Sequence, residues 1–206
     1  MKKFLLFFSL FFSAVVFAQS PEQKQILKET QSFMTFLEQK NYDKILEMSH
    51  PALTEKFEKQ MMIDGFKMIF EGNDQFSMKL NPIADSAYKV SDVYKDGTSQ
   101  YAFVSFPMNM EMTFKNQKFD ADTKKMMVNM MEVQGMKAKF VNDSTLNISK
   151  LALTVALKDQ STNNQWKYIN HDENNPFYTT IVPVEIIKSA KSYYSDLLLK
   201  QKENAN

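Results

Sequence analysis

The side chains of this sequence whose types and spacing could do chemistry are a cluster of methionines, two histidines and a handful of aspartate and tyrosine residues. Met108, Met110, Met112, Met126, Met127, Met130, Met131 and Met136 fall within one short stretch. Soft thioethers bind Cu(I), which makes copper the first chemistry to weigh. Alternate residues of a strand stand about 6.5–7 Å apart at the backbone, too far for a compact site unless the side chains converge strongly. Methionine also fills irregular gaps between elements and builds adaptable apolar surfaces. Packing of a strand against a helix is the plainer reading of the cluster, and an apolar ligand surface is its functional one.

His50 and His171 are the only histidines. Together they would suit a general base with its partner, or half of a metal site. No HExxH or other ligand spacing supports a metal, and none is assigned. His50 stands beside Pro51 at a helix end, and His171 opens the polar run His171–Asn175, so both read as structural or solvated histidines. An isomerase that moves a proton next to a carbonyl needs an apolar pocket, a carboxylate base and an acid such as tyrosine. Asp85 or Asp92 would be the base and Tyr88, Tyr101 or Tyr168 the donor, with no spacing that singles out a pair. There is no GxSxG, no glycine-rich phosphate loop and no calcium loop, so no catalytic residue and no cofactor is assigned.

The elements that must position these residues are legible from their periods. Ser20-Pro21-Glu22-Gln23 is a capping box that opens a helix carrying Ile26, Leu27, Phe33, Met34 and Leu37. Asn41 caps a second, short helix that Pro51 ends after His50. A third helix is expected from Thr54 to Phe70. The period then changes to that of strands at 76–83, 87–94 and 100–114, with a hairpin turn at Asp96-Gly97. Met108, Met110 and Met112 share one face of the third of these. Asp120 or Asp122 caps an inserted helix holding Met127 and Met131, which Gly135 ends. Further strands are expected at 137–141, 146–157 and 165–171. In the second of these the apolar phase slips, and a bulge near Ser149-Lys150 would reconcile it. Pro183 starts a terminal helix, and the polar tail from Gln201 is expected to be frayed. Helices followed by a run of antiparallel strands give an α+β layout: N-terminal helices on a sheet, with an inserted helix and a C-terminal one.

Lys2 and Lys3 precede an apolar run from Phe4 to Phe17, which closes on Val16-Phe17-Ala18. This is the pattern of a secretory signal peptide, with the mature chain starting at Gln19. The run is shorter than the ~20 residues a membrane-spanning helix needs. Residues 19–200 then read as one domain, within the usual range of about 50–250 residues. No cysteine is present, which excludes disulfides, thiolate sites and a lipidated cysteine. Loss of two of the 25 lysines leaves 23 against 24 acidic residues. That balance gives no electrostatic case for nucleic acid or an anionic membrane. The chain is read as periplasmic or secreted and bacterial.

Three local patterns resemble the nuclear transport factor 2-like superfamily of ketosteroid isomerase and SnoaL-type proteins. They are Asn41-Tyr42-Asp43-Lys44-Ile45-Leu46 after the opening helix, His50-Pro51-Ala52-Leu53 as the following turn, and Gln165-Trp166-Lys167-Tyr168-Ile169 as a late strand. The resemblance implies a cone of helices in the hollow of a strongly curved sheet, an apolar pocket inside it, and frequent dimerisation through the sheet. The inserted and C-terminal helices depart from that pattern and are expected near the pocket mouth.

The function expected is that of an exported, non-catalytic module binding an apolar small molecule or a protein partner. Its site would be formed by Met108, Met110 and Met112 on the sheet and Met127 and Met131 on the inserted helix, with Tyr88 and Trp166 as aromatic members. The alternatives are an isomerase or lyase of the ketosteroid isomerase type, and a structural homodimer paired through the sheet face of Tyr101, Ser105, Asn109 and Glu111.

Overall fold

The computed structural model describes residues 19–172 and 175–203. Residues 1–18, where a signal peptide is expected, and the last three tail residues lie outside them. In chain order the described residues form α1 (Pro21–Glu38), α2 (Tyr42–Met48), α3 (Pro51–Lys56), α4 (Lys59–Phe70), β1 (Phe76–Leu80), β2 (Lys89–Val90), β3 (Tyr94–Asp96), β4 (Ser99–Phe114), α5 (Ala121–Val133), β5 (Lys137–Phe140), β6 (Thr145–Lys158), β7 (Lys167–Asn170), α6 (Pro176–Ile181) and α7 (Val184–Glu203). The fold is α+β, with one open, curled antiparallel sheet.

The sheet is built on β4 and β6, which pair without interruption from Gln100↔Lys158 to Thr113↔Thr145. The free edge of β4 takes β3, β2 and β1 in succession. The free edge of β6 takes β7 and β5. Both flanks are interrupted at the same row, Pro107↔Leu151, so the sheet is only two strands wide there. Odd-numbered residues of both strands point their backbone groups outward. Phe103 O accepts from Ser91 N and Leu153 O from His171 N, each at 2.9 Å. Proline at outward position 107 has no N–H to leave unpaired, which is why a long strand tolerates it. Opposite it, the Tyr194 hydroxyl donates to Leu151 O at 2.9 Å.

Helices cover both faces of the wide half. The even-numbered face presents Ala102, Val104, Phe106, Ala152 and Ala156 to Ile26, Met34 and Leu37 of α1 and to Tyr42 and Ile45 of α2. The odd-numbered face presents Tyr101, Phe103, Leu153, Val155 and Leu157 to Tyr178, Val182, Ile186 and Ala190 of α6 and α7. The apparent phase slip in β6 is therefore no bulge, because the register runs straight through Ser149 and Lys150. Residues 151–157 are buried on both faces, and the small alanines on the even face admit α1 closely. Beyond α7 the odd face turns polar at Ser149, Asn147 and Thr145, and the strand alternates again.

Local signals explain most element ends. The capping box of α1 forms in full: Gln23 N donates to Ser20 Oγ at 3.1 Å and Ser20 N to Gln23 Oε1 at 2.7 Å. Pro51 does not merely end α2; it occupies the first turn of α3. The expected single helix 54–70 is split, because Phe57 and Glu58 take extended backbone between α3 and α4. The expected strand 87–94 breaks into β2 and β3 around the Ser91 contacts to Phe103. The terminal helix α7 runs to Glu203, into the tail expected to fray from Gln201. Phe119, next to the Asp120 cap of α5, packs edge-on against Phe114 and Phe140, so α5 approaches the even face at its narrow-strand end. The α7 helix lies on the opposite face, so it does not reach the mouth where an extension was expected.

Gly72 closes the turn between α4 and β1 at φ +87°, and an added Cβ would overlap the Phe76 carbonyl oxygen. Gly97, at φ +58°, has open space around its missing side chain. Gly72→Ala is expected to destabilise the fold by more than about 2 kcal/mol, and Gly97→Ala by about 1 kcal/mol, from backbone strain alone. Urea melts followed through circular dichroism compare the two.

Candidate functional site

A cavity of about 500 Å³ opens between the N-terminal helices and the even face of the sheet, at the two-strand row. Its floor is Phe106, Met108 and Met110 of β4 with Lys150, Ala152 and Thr154 of β6. Thr30, Phe33, Met34 and Leu37 of α1 form one wall. Met62, Phe66, Ile69 and Phe70 of α4 form another. Tyr168, Asn170, Asp172 and Asn175 mark the edge where β7 leaves the sheet.

The walls are held by specific contacts. Glu71, just past α4, takes the Lys40 ammonium at 2.7 Å and the Tyr42 hydroxyl at 2.6 Å, which fixes the end of α4 to the corner between α1 and α2. Those two donors hold the Glu71 carboxyl below the usual carboxylate range. Phe66 stacks on Tyr42 with ring centroids 6.0 Å apart. Even so, no residue of α4 is fully buried, and Ile69 in the cavity wall is 54% exposed. The apolar side of α4 is thus shared between the core, which Ile63, Phe66 and Phe70 touch, and the cavity, which Met62, Phe66, Ile69 and Phe70 line.

Tyr168 lies in the lining, and its hydroxyl donates to Glu29 Oε2 at 2.8 Å. Burial, followed by the charge of Glu29, raises its pKa far above the phenol range and keeps it neutral. Thr154 and Asn170 face one another across the β6–β7 ladder. Lys150 pairs across the sheet with Met108 and is partly buried, and it makes no hydrogen bond or ion pair among the described residues.

Of the residues expected in the site, Met108 and Met110 line this cavity. Met112 continues their row on the even face, opposite Leu146, beyond the lining. Met127 and Met131 are the half-buried side of α5 and also lie outside it. Tyr88 packs in the core, tilted on Phe106 at 5.2 Å, and burial followed by the charges of Asp85 and Glu38 pushes its pKa up to about 12. Trp166 is buried in the core beneath Lys158, with its Nε1–H unpaired among the described residues. Neither aromatic lines the cavity. Asp85 and Asp92 are exposed and likewise outside the lining. The sheet face expected to pair two copies is occupied in part: Tyr101 and Ser105 lie buried, and the Tyr101 hydroxyl meets Ser189 of α7 at 3.3 Å.

The outer side of α5 carries a second concavity of about 580 Å³ along Met126, Met130 and Val133, but among the described residues that single helix and its C-terminal Gln134 are its only wall. Among the described residues no three His, Asp or Glu side chains cluster to hold a metal ion. Protein-family models, curated proteins and solved structures contain no match to this chain.

The histidines do not meet in a shared site. His171 Nδ1 pairs with the Tyr178 hydroxyl at 2.9 Å. His50, 4% exposed, caps α3: Ala52 N–H donates to its Nδ1 at 3.3 Å. An accepting Nδ1 places the ring proton on Nε2, which faces Ser161 Oγ at 3.4 Å, and Ser161 donates to Asp159 Oδ1 at 2.6 Å. Burial lowers the His50 pKa below the ordinary 6.5, outweighing the charges of Asp159 and Glu55. The unfolded chain thus binds the proton more readily, so stability is full above 6.5 and falls as pH drops toward the folded value. The melting temperature is expected to fall between about pH 8 and about pH 5.5. In His50→Asn, which keeps a capping acceptor and cannot titrate, that fall is expected to be smaller, as calorimetry at stepped pH would measure.

Proposed function

We propose that this chain is an exported, non-catalytic module that holds an apolar small molecule between α4 and the even face of the sheet. The carrying observation is a cavity of about 500 Å³ whose lining is predominantly apolar, with methionine and phenylalanine foremost, beside a helix with no fully buried residue. Its volume lies in the range of about 300–1,000 Å³ usual for small-molecule sites. Methionine on the floor and on α4 suits a ligand of variable shape, since thioether side chains adapt without branching. Export rests on the pattern of residues 1–18 alone. The nuclear transport factor 2-like resemblance agrees with this reading, as it too implies an apolar pocket between helices and a curved sheet.

A neutral apolar dye tests the reading directly. N-phenyl-1-naphthylamine is expected to bind residues 19–206 saturably, one per chain, with enhanced fluorescence. Met108→Glu places a carboxylate on the floor opposite Lys150, where an opposite-charge cross-strand pair contributes about 0.2–1 kcal/mol and limits the loss of stability. The variant is expected to lose dye affinity by more than about tenfold while its melting temperature moves by only a few degrees. Equal dye affinity in the two proteins would overturn the reading.

A further inference from the structure

We propose that the ligand of this cavity is an amphiphile with an anionic head, and that Lys150 is the residue that receives it. The inference rests on the binding function proposed above and adds the chemical class of the ligand.

The floor of the cavity is apolar along β4, at Phe106, Met108 and Met110, and polar along the outer part of β6. Lys150 and Thr154 stand on the same face of β6 with only Ala152 between them on that face, so about 13 Å separates them at the backbone. The alanine leaves the space above that interval open. Asn170 flanks Thr154 from β7. An ammonium, a hydroxyl and an amide thus line one side of the cavity, and the opposite side offers the aromatic and thioether walls of α1 and α4.

A lysine on an apolar cavity floor ordinarily reaches a carboxylate or extends its ammonium into water. Lys150 is only partly exposed and has neither a hydrogen bond nor an ion pair among the described residues. Asp172, the acidic side chain among the described lining residues, is exposed past the end of β7. The Lys150 charge is therefore unmatched by the described residues, and a carboxylate-type head is the group that completes it. An acyl chain then runs over Met108 and Met110 beneath α4. A nonpolar ligand without a head would leave the ammonium uncompensated. A short polar anion would leave the Phe66 and Phe70 walls unfilled.

The test uses residues 19–206 with two probes of equal chain, the fluorescent polyene fatty acid cis-parinarate and its methyl ester. Wild type is expected to bind the acid more tightly than the ester by on the order of tenfold, the worth of one charge-assisted contact. Lys150→Met is expected to bind the ester as wild type does and the acid no better than the ester. Lys150→Arg is expected to keep the preference. The ester affinity of Lys150→Met also reports that the cavity is intact. Equal binding of acid and ester by wild type, or a preference that survives in Lys150→Met, overturns the anionic head and leaves the apolar site standing. Failure of wild type to bind either probe overturns both.

Discussion

The antiparallel ladder between β4 and β6 is the constraint on which the remaining structure depends. Side chains alternate strictly along each strand, so a shift of one residue would exchange the two faces of the sheet. Because the register is unbroken from Gln100↔Lys158 to Thr113↔Thr145, every even-numbered residue is committed to one face, covered by α1, α2 and α4 and, toward Phe114, approached by α5. Every odd-numbered one is committed to α6 and α7 where those helices reach. The two layers make different demands. The α7 side takes large residues such as Phe103 and Leu157, and the α1 side takes Ala102, Ala152 and Ala156. Close approach of α1 at the wide half leaves α4, farther along the sheet, standing off from the floor, and the cavity occupies that interval.

Hydrophobic burial is left incomplete there. Met62, Phe66 and Phe70 of α4 are only partly covered by protein, unlike Ile26 or Ile45, which are fully buried on the same face. The Glu71 contacts to Lys40 and Tyr42 hold the end of α4 in place without pressing its middle onto the sheet. A pocket of this kind needs both conditions, an anchored helix and an unfilled apolar side.

Much of this was legible in residue spacing. The alternation of Ala102 through Phe114 identified β4 and put Met108, Met110 and Met112 on one face. The Ser20–Gln23 box and the Asp120 cap placed two helix starts, because capping chemistry is local. The errors arose where burial on both faces removes the alternation that a strand signal relies on. Lys150 was assigned to a bulge for that reason, yet it stands in phase with Met108 on the cavity floor. A single lysine in step with an apolar face was the available signal. The break at Phe57 was hidden because Phe57 itself continues an apolar helical pattern. The α6 helix spans only Pro176–Ile181, too short to show a period. Aromatic character alone suits Tyr88 and Trp166 to either role, and only tertiary packing distinguishes a core ring from a lining one.

The interruption of both flanks at the Pro107–Leu151 row also bears on self-association. An exposed strand edge is a template on which another chain can add a strand, and such edges are common starting points for aggregation. Here the break in β4's flank falls on a proline, which cannot donate to an incoming backbone. The matching break in β6's flank falls on a residue whose carbonyl is already bonded by Tyr194. The site can thus remain open at the centre of the sheet while the neighbouring edges offer an invading strand little to pair with.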